Sequence, residues 1–263
     1  NYRFIGSVLG QADISESLKF NTLLGINFNT MKEFLFMPDK GMETYEGGEV
    51  HNQSLHTNNY LSSFYNNSYL NFQKEFNSIH EVFATIGFRI HTNNYEADFG
   101  KAKNLPRNDE YTTLGSGQSD LRRVGGDIGK WNLFSVYNQI SYKLKDKYIL
   151  NTGLSADFSS RFGTDAETAF SIFDVPMGLF YSVGGGWRIS NENFLNQVKG
   201  LSNLMLRASY GISGNDDIGN YNSLNYFKST RYRETAGFVP GSIPNQSLKH
   251  EVNKQLNVGF DLA

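Results

Sequence analysis

The residues able to do chemistry are thinly spread. Five histidines stand at 51, 56, 80, 91 and 250. His51 and His56 lack a carboxylate at an established metal spacing, so exposed loop histidines are expected there rather than a metal centre. Cysteine is absent, which removes disulfides, zinc fingers, iron–sulfur clusters and thiol nucleophiles together. Ser135, Ser141 and Ser209 have no identifiable base, and read as polar wall positions rather than nucleophiles. Asn215-Asp216-Asp217 offers three oxygen-bearing side chains that could hold Ca²⁺; a turn closed by its own side chains is the plainer reading. Gly184-Gly185-Gly186 lacks the lysine and spacing of a phosphate loop, and Gly125-Gly126 reads as a loop turn. No enzyme activity, cofactor or metal is expected. The better candidates are aromatic residues in polar stretches: Tyr45, Tyr60, Tyr111, Tyr226, Tyr232 and Phe238 could stack on sugar faces or peptide side chains.

The elements that would position such residues follow from composition and pattern. In 263 residues, 24 Lys+Arg against 26 Asp+Glu leave a net charge of −2, without the basic footprint of a nucleic-acid binder. Mean hydropathy is −0.45 and no run of 18 apolar residues occurs, so a membrane-crossing helix is excluded. Aromatics reach 14% and glycines number 26, which suits aromatic-rich strands joined by polar loops. No signal peptide opens the chain. Asn1–Gly6 already reads as a strand and Val258–Ala263 stops in mid-pattern, so part of a longer protein is expected.

Alternation with a period of two is the dominant signal. In the windows 18–30, 82–91, 134–144, 148–158, 204–212 and 252–262, even positions are apolar in 30 of 35 cases and odd positions in 5 of 30. That contrast predicts strands with one apolar and one polar face. Weaker strands at 2–11, 60–76 and 178–188 bring the number to about nine. Short turns near 13–17, 77–80 and 146–147, with a compact link at 189–202, alternate with long polar stretches at 31–59, 98–130, 159–177 and 213–248. Strands long enough to cross a bilayer, with short turns on one side and long loops on the other, are the layout of outer-membrane barrels. Tyr and Phe recur at strand ends (Phe20, Phe28, Tyr148, Phe158, Tyr210, Phe260), where interfacial girdles lie. The fold class expected is all-β, an antiparallel transmembrane β-barrel segment. Its polar register, including Arg89, His91, Asp157 and Arg207, would line a wet interior.

The second half carries specific motifs. Asp157-Phe158-Ser159-Ser160-Arg161-Phe162-Gly163, Trp187-Arg188-Ile189-Ser190-Asn191-Glu192-Asn193-Phe194-Leu195, and Leu204–Asn215 resemble, in order, segments of the SusC/RagA family of TonB-dependent outer-membrane transporters. Ile218-Gly219-Asn220-Tyr221 and Asn257–Asp261 fit the same family. Phe158, Tyr181 and His250 depart from its usual glycine, proline and tryptophan. In local terms, Ser190 would cap a short amphipathic helix over 191–198. Gly211, Gly214 and Gly219 would turn strand into loop.

The resemblance implies a barrel of roughly 22 strands to which residues 1–263 contribute about nine, with plug domain, TonB box and final strands absent. It implies barrel wall and extracellular loops of an importer of oligosaccharides or oligopeptides in a Gram-negative, Bacteroidetes-like outer membrane. Its partners would be a SusD-like surface lipoprotein, TonB and outer-membrane lipid, with no nucleic acid. Substrate contacts are expected from Arg89, His91, Asp157, Arg161, Arg207, Tyr111 and Tyr232. A structural or assembly subunit of a larger outer-membrane complex is the alternative role, and a soluble glycan-binding β-sandwich the alternative fold.

Overall fold

The computed structural model describes residues 1–38, 52–106, 110–166, 170–172, 175–195, 200–232 and 235–263. His51 and Tyr45 lie outside them. Twelve strands follow in chain order: β1 (Tyr2–Ser15), β2 (Leu18–Met37), β3 (Gln53–Phe76), β4 (His80–Ala102), β5 (Arg123–Leu144), β6 (Tyr148–Ser159), β7 (Phe170–Ile172), β8 (Val175–Arg188), β9 (Leu204–Asn215), β10 (Phe227–Tyr232), β11 (Thr235–Pro240) and β12 (Glu251–Leu262). Nine form one path, β1-β2-β3-β4-β5-β6-β8-β9-β12, with β7 paired to β8 and β10–β11 as a separate hairpin. Among the described residues there is no α-helix.

The register keeps the two faces chemically distinct. Between β5 and β6, Phe134 pairs with Phe158 and Val136 with Ala156, while Ser135 opposes Asp157 and Gln139 opposes Gly153. From β6 to β8 the apolar parity switches from even to odd, so Leu154 meets Tyr181 and Tyr148 meets Trp187. It returns to even on β9 and β12, where Trp187 meets Leu206 and Leu206 meets Phe260. A one-residue slip anywhere would send every side chain to the wrong face.

Burial is inverted relative to a soluble fold. Only Ala102, Leu105, Ala166 and Met177 are buried hydrophobics among the described residues, whereas Asn66, Ser68, Ser135, Ser159 and Arg161 are buried and Leu24, Ile86, Val136, Leu154 and Val258 are exposed. A β-sandwich packs its apolar face into a core; here that face stays uncovered, and the sandwich alternative is set aside.

The chain divides into two compact units. One comprises Asn1–Ser7, Gly25–Phe64 and Thr92–Lys130; the other comprises Val8–Leu24, Tyr65–His91 and Trp131–Ala263. In the first, residues 103–106 and 110–122 fold onto the end of β4. Leu105 N–H donates to the Asn52 carbonyl (3.1 Å), Gln118 N–H to the Lys103 carbonyl (3.0 Å), and Arg122 holds the Gly115 and Gly117 carbonyls. In the second, tight turns connect the strands. Asn77 and Ser78, and again Lys145 and Asp146, all have φ between 51° and 53°, the double left-handed geometry of a two-residue hairpin.

Four expectations are corrected. Strands run well into the stretches expected as loops, with β2 reaching Met37, β3 starting at Gln53, β4 reaching Ala102 and β5 starting at Arg123. Gly125 and Gly126 lie within β5 rather than in a turn. A Cβ at Gly125 would meet the Phe99 ring at 2.6 Å. Gly214 also sits in a strand, where a side chain would collide with Phe180, and only Gly219 among the three loop glycines has a left-handed φ, +85°. The helix over 191–198 is not formed through 195: a 3-10 turn, Ile189–Asn191, stands there instead and ends at Glu192. Residues 196–199 lie outside the described residues.

Candidate functional site

The polar face of β6, β8, β9 and β12 is floored by small residues. Asn151 pairs with Gly184, Gly184 with Ser209 and Ser209 with Asn257; in the next row Gly153 pairs with Ser182, Ser182 with Gly211 and Gly211 with Gln255. With so little side chain on the floor, a recess of about 540 Å³ remains, bordered by Arg89, Tyr137 and Gln139. The Arg89 guanidinium stands 5.7 Å from the Tyr137 ring centre, and Tyr137 donates its hydroxyl to Asn67 (2.8 Å). Hydroxyls, amides and one cation suit an uncharged, hydrogen-bonding ligand better than an ion. Arg207 and Asp261 form a 2.7 Å ion pair on the same face, and Asp157 accepts from Ser155.

A second cluster stands where β6 ends. Arg161 is 9% exposed. Its Nε donates to Asn220 (2.9 Å) and its Nη1 to the Asp216 carbonyl (3.0 Å), with Asp217 at 3.3 Å. The guanidinium lies 4.7 Å from the Trp131 ring centre. Trp131 in turn packs edge-on against His91 (4.7 Å), which packs against Tyr65 (5.8 Å). The neighbouring motif residues complete the stitch. Ser159 donates to Asp216 (2.9 Å), Asn132 N–H donates to Ser160 Oγ (2.9 Å), and Gly163 N–H donates to the Leu248 carbonyl (2.8 Å). Phe162 and Phe180 flank His250 at 5.6 and 4.7 Å, and burial lowers the pKa of that histidine against the weaker opposing pull of Asp157.

Asn215-Asp216-Asp217 behaves as the turn expected, since Asp217 N–H donates to Asn215 Oδ1 (3.1 Å). Both aspartates face the Arg161 guanidinium, which meets the charge that a cation would otherwise meet. Among the described residues no group of three or more His, Asp or Glu is arranged for a metal ion.

The third cluster lies at the short-turn end. Glu192 accepts from the Tyr148 hydroxyl (2.7 Å), Lys147 Nζ (2.9 Å) and Trp187 Nε1 (3.2 Å). These donors, the tyrosine foremost, hold its pKa down to about 2. Asp146 beside it accepts from Arg188 (2.6 Å) and Asn191 (3.2 Å). The Trp187–Glu192 spacing legible in the motif therefore serves hydrogen bonding, with the glutamate folded back over two interfacial aromatics, and not helix capping.

Of the seven residues expected at a substrate site, Arg89 borders the recess and His91 and Arg161 join through Trp131. Asp157 and Arg207 lie on the polar face of their strands. Tyr111 is exposed in the first unit, and Tyr232 lies in the β10–β11 hairpin. Trp131 and Tyr137 are site residues that the sequence does not announce, and Asp216, a candidate Ca²⁺ ligand in the sequence, serves as a partner of Arg161. Only long-range pairing brings them to their partners.

Residues 12–263 match the model of the TonB dependent receptor-like β-barrel family. The chain belongs to that family. Curated relatives include TonB-dependent receptor P39 of Formosa agariphila, 31% identical over 95% of this chain and 23% of that protein. TonB-dependent receptor SusC of Bacteroides thetaiotaomicron is 27% identical over 90% of this chain and 25% of that protein. Among solved structures, the RagAB peptide transporter superposes with a TM-score of 0.83 at 20% identity, covering 99% of this chain and 29% of that one. The chain spans about a quarter of the length of these curated relatives, and the SusC/RagA likeness read from residues 131–263 extends to nearly all of it. As a TonB-dependent β-barrel segment, it presents its apolar face to lipid and satisfies its backbone through strand pairing. On β6 the apolar face runs from Tyr148 to Phe158. At about 3.3 Å per residue and a tilt of roughly 40°, that length spans about 25 Å of membrane depth. An aromatic row of Phe88, Phe134 and Phe158, with ring centres 6.5 and 5.9 Å apart, marks one edge. Tyr148 and Trp187 mark the other.

Proposed function

We propose that this chain supplies wall and extracellular loops of a SusC-like TonB-dependent importer in the outer membrane of a Gram-negative bacterium, working with a SusD-like surface lipoprotein. The observation that carries the reading is the low, small-residue floor of the polar face. It leaves a recess of about 540 Å³ bordered by Arg89 and Tyr137, with hydroxyl and amide groups spaced along neighbouring strands. Such a surface suits an extended, neutral, hydrogen-bonding chain, an oligosaccharide or the backbone of an oligopeptide. The solved relative named as a peptide transporter supports the second of these. In this reading Arg89, His91, Asp157, Arg207, Tyr111 and Tyr232 contact substrate, while Arg161 holds the loop that follows β9 through Asp216 and Asn220. TonB acts through a plug domain of the full-length protein.

The test uses the full-length protein in its native host. Deletion is expected to abolish growth on one class of oligosaccharide or oligopeptide, and Arg89→Ala to reduce uptake while leaving surface abundance unchanged. Co-purification of a surface lipoprotein with the wild-type barrel is expected. Growth unaffected by deletion on every such substrate, together with loss of other envelope proteins, would favour the assembly-subunit reading instead.

A further inference from the structure

We propose that the apolar face carries a defined binding site for one acyl chain of a membrane phospholipid, seated in a groove floored by Ser68 and walled by Phe20, Leu70, Ile86, Phe88 and Phe134. The groove has a volume of about 530 Å³ and an almost wholly apolar lining. Its place on the lipid side follows from contacts. The Thr22 and Ser68 hydroxyls share a hydrogen bond at 2.8 Å, and Thr22 lies in register with Phe20 and Leu24. Phe88 meets Phe134 across β4 and β5.

Its floor carries one short polar side chain, Ser68, and that is the unusual feature. Ser68 is hydrogen-bonded to Thr22 and Asn66, which lie outside the lining, and Asn66 and Ser68 are each 6% exposed. Their polar atoms are spent on one another. Asn66 Nδ2 faces the Leu23 carbonyl (3.4 Å) and the Ser68 hydroxyl (3.2 Å), and Ser68 reaches Asn66 Oδ1 (3.3 Å). A polar ligand would find few free partners there, whereas an acyl chain requires none. The short Ser68 side chain makes the hollow and the flanking aromatics wall it. A hollow in hydrocarbon leaves its lining atoms without contacts unless something fills it, and water has no partner on such walls. The groove reaches the aromatic row of Phe88 and Phe134, the interfacial depth from which a lipid tail descends. The groove is continuous with the lipid-facing belt, which makes lipid its occupant rather than a second protein. The inference rests on the membrane placement of the apolar face and is independent of the substrate.

The full-length protein is reconstituted in phosphatidylethanolamine vesicles containing a trace of the same lipid with a diazirine in one acyl chain, irradiated, and mapped by mass spectrometry. Label on Phe20, Leu70 and Phe88 is expected to exceed that on Leu150 and Leu154, exposed apolar residues outside the groove, by about five-fold, an occupancy ratio that modest extra packing supplies. Ser68→Phe, which fills the hollow, is expected to remove the excess. Phe134→Ala, which lowers one wall and spares the floor, is expected to reduce it. Equal labelling of groove and controls would overturn the site while leaving the membrane placement standing. Labelled controls with an unlabelled groove would overturn it in favour of a protein contact, and absence of label from both would overturn the placement as well.

Discussion

Removing the Arg161 guanidinium tests the account of the motif at the end of β6. Two hydrogen bonds from a charged group, to Asn220 and to the Asp216 carbonyl, are each worth about 1.5–3 kcal/mol when buried. The Trp131 contact adds about 1 kcal/mol. The Asp217 pair counts for less, because that carboxylate is mostly exposed and such pairs contribute about 0–1 kcal/mol. Water entering the vacated site and the surviving Ser159–Asp216 bond offset part of the loss. A net weakening of about 3–4 kcal/mol in the closure of the 216–224 loop is expected for Arg161→Ala, equivalent to two to three orders of magnitude in its opening equilibrium. Arg161→Lys keeps the charge but cannot fork between Asn220 and Asp216 while lying on Trp131, and is expected to lose about half as much.

The assay is amide hydrogen exchange of the full-length protein in detergent, read in peptides covering 213–224 and, as a control, 134–144. Protection should fall in the first and hold in the second. Exchange unchanged by Arg161→Ala would refute the stitch, and equal protection in Arg161→Lys and wild type would show that charge alone suffices without the fork.

Three further outcomes follow from the same reasoning. Because the Glu192 pKa is depressed to about 2 from an ordinary 4.5, its network contributes stability that is complete above about pH 4.5 and is lost as pH falls toward 2; the Trp187 fluorescence should change across that window in the wild type and stay flat in Glu192→Gln. Gly163→Ala would drive a Cβ into the Gln246 backbone and displace the bonds from Gly163 N–H to Leu248 and Asp165 N–H to Gln246, so limited proteolysis of intact cells should cut faster at 160–166. Lys145 holds a φ of 53°, strained for a residue with a Cβ by about 1 kcal/mol, so Lys145→Gly should raise the temperature at which the barrel loses its folded mobility on gels; an unchanged or lower temperature would count against the turn geometry.

Membrane-spanning strands were legible in the sequence because lipid imposes a pattern that water does not. Between Tyr148 and Phe158 every second residue must tolerate hydrocarbon, and the alternation is nearly unbroken. Above that depth both faces of a strand meet water or polar neighbours, the constraint lapses, and the chain reads as loop. This is why β2 continues to Met37 and β5 begins at Arg123 with no apolar rhythm to announce them. Glycine misled for a related reason. Gly125, Gly126 and Gly214 suggest turns when read locally, yet their smallness admits Phe99, the Ala97 carbonyl and Phe180, neighbours that only strand pairing supplies.

The same division explains which parts of the site could be read. Arg161 and Glu192 stood out because each sits in a short motif, and a motif survives only if its residues act together at a fixed spacing. What the spacing could not convey was the role. The motif marks Arg161 as a candidate substrate contact, and the structure shows its donors engaged with a loop 55 to 59 residues away. The motif places Glu192 in an expected helix, whereas its oxygens accept from Lys147 and Tyr148 across a turn. In a sheet that exposes its apolar face, little hydrophobic core remains to fix the chain ends. Buried polar stitches between loop and strand must do so, and their partners are distant in sequence because a strand must cross the membrane and return before the two can meet.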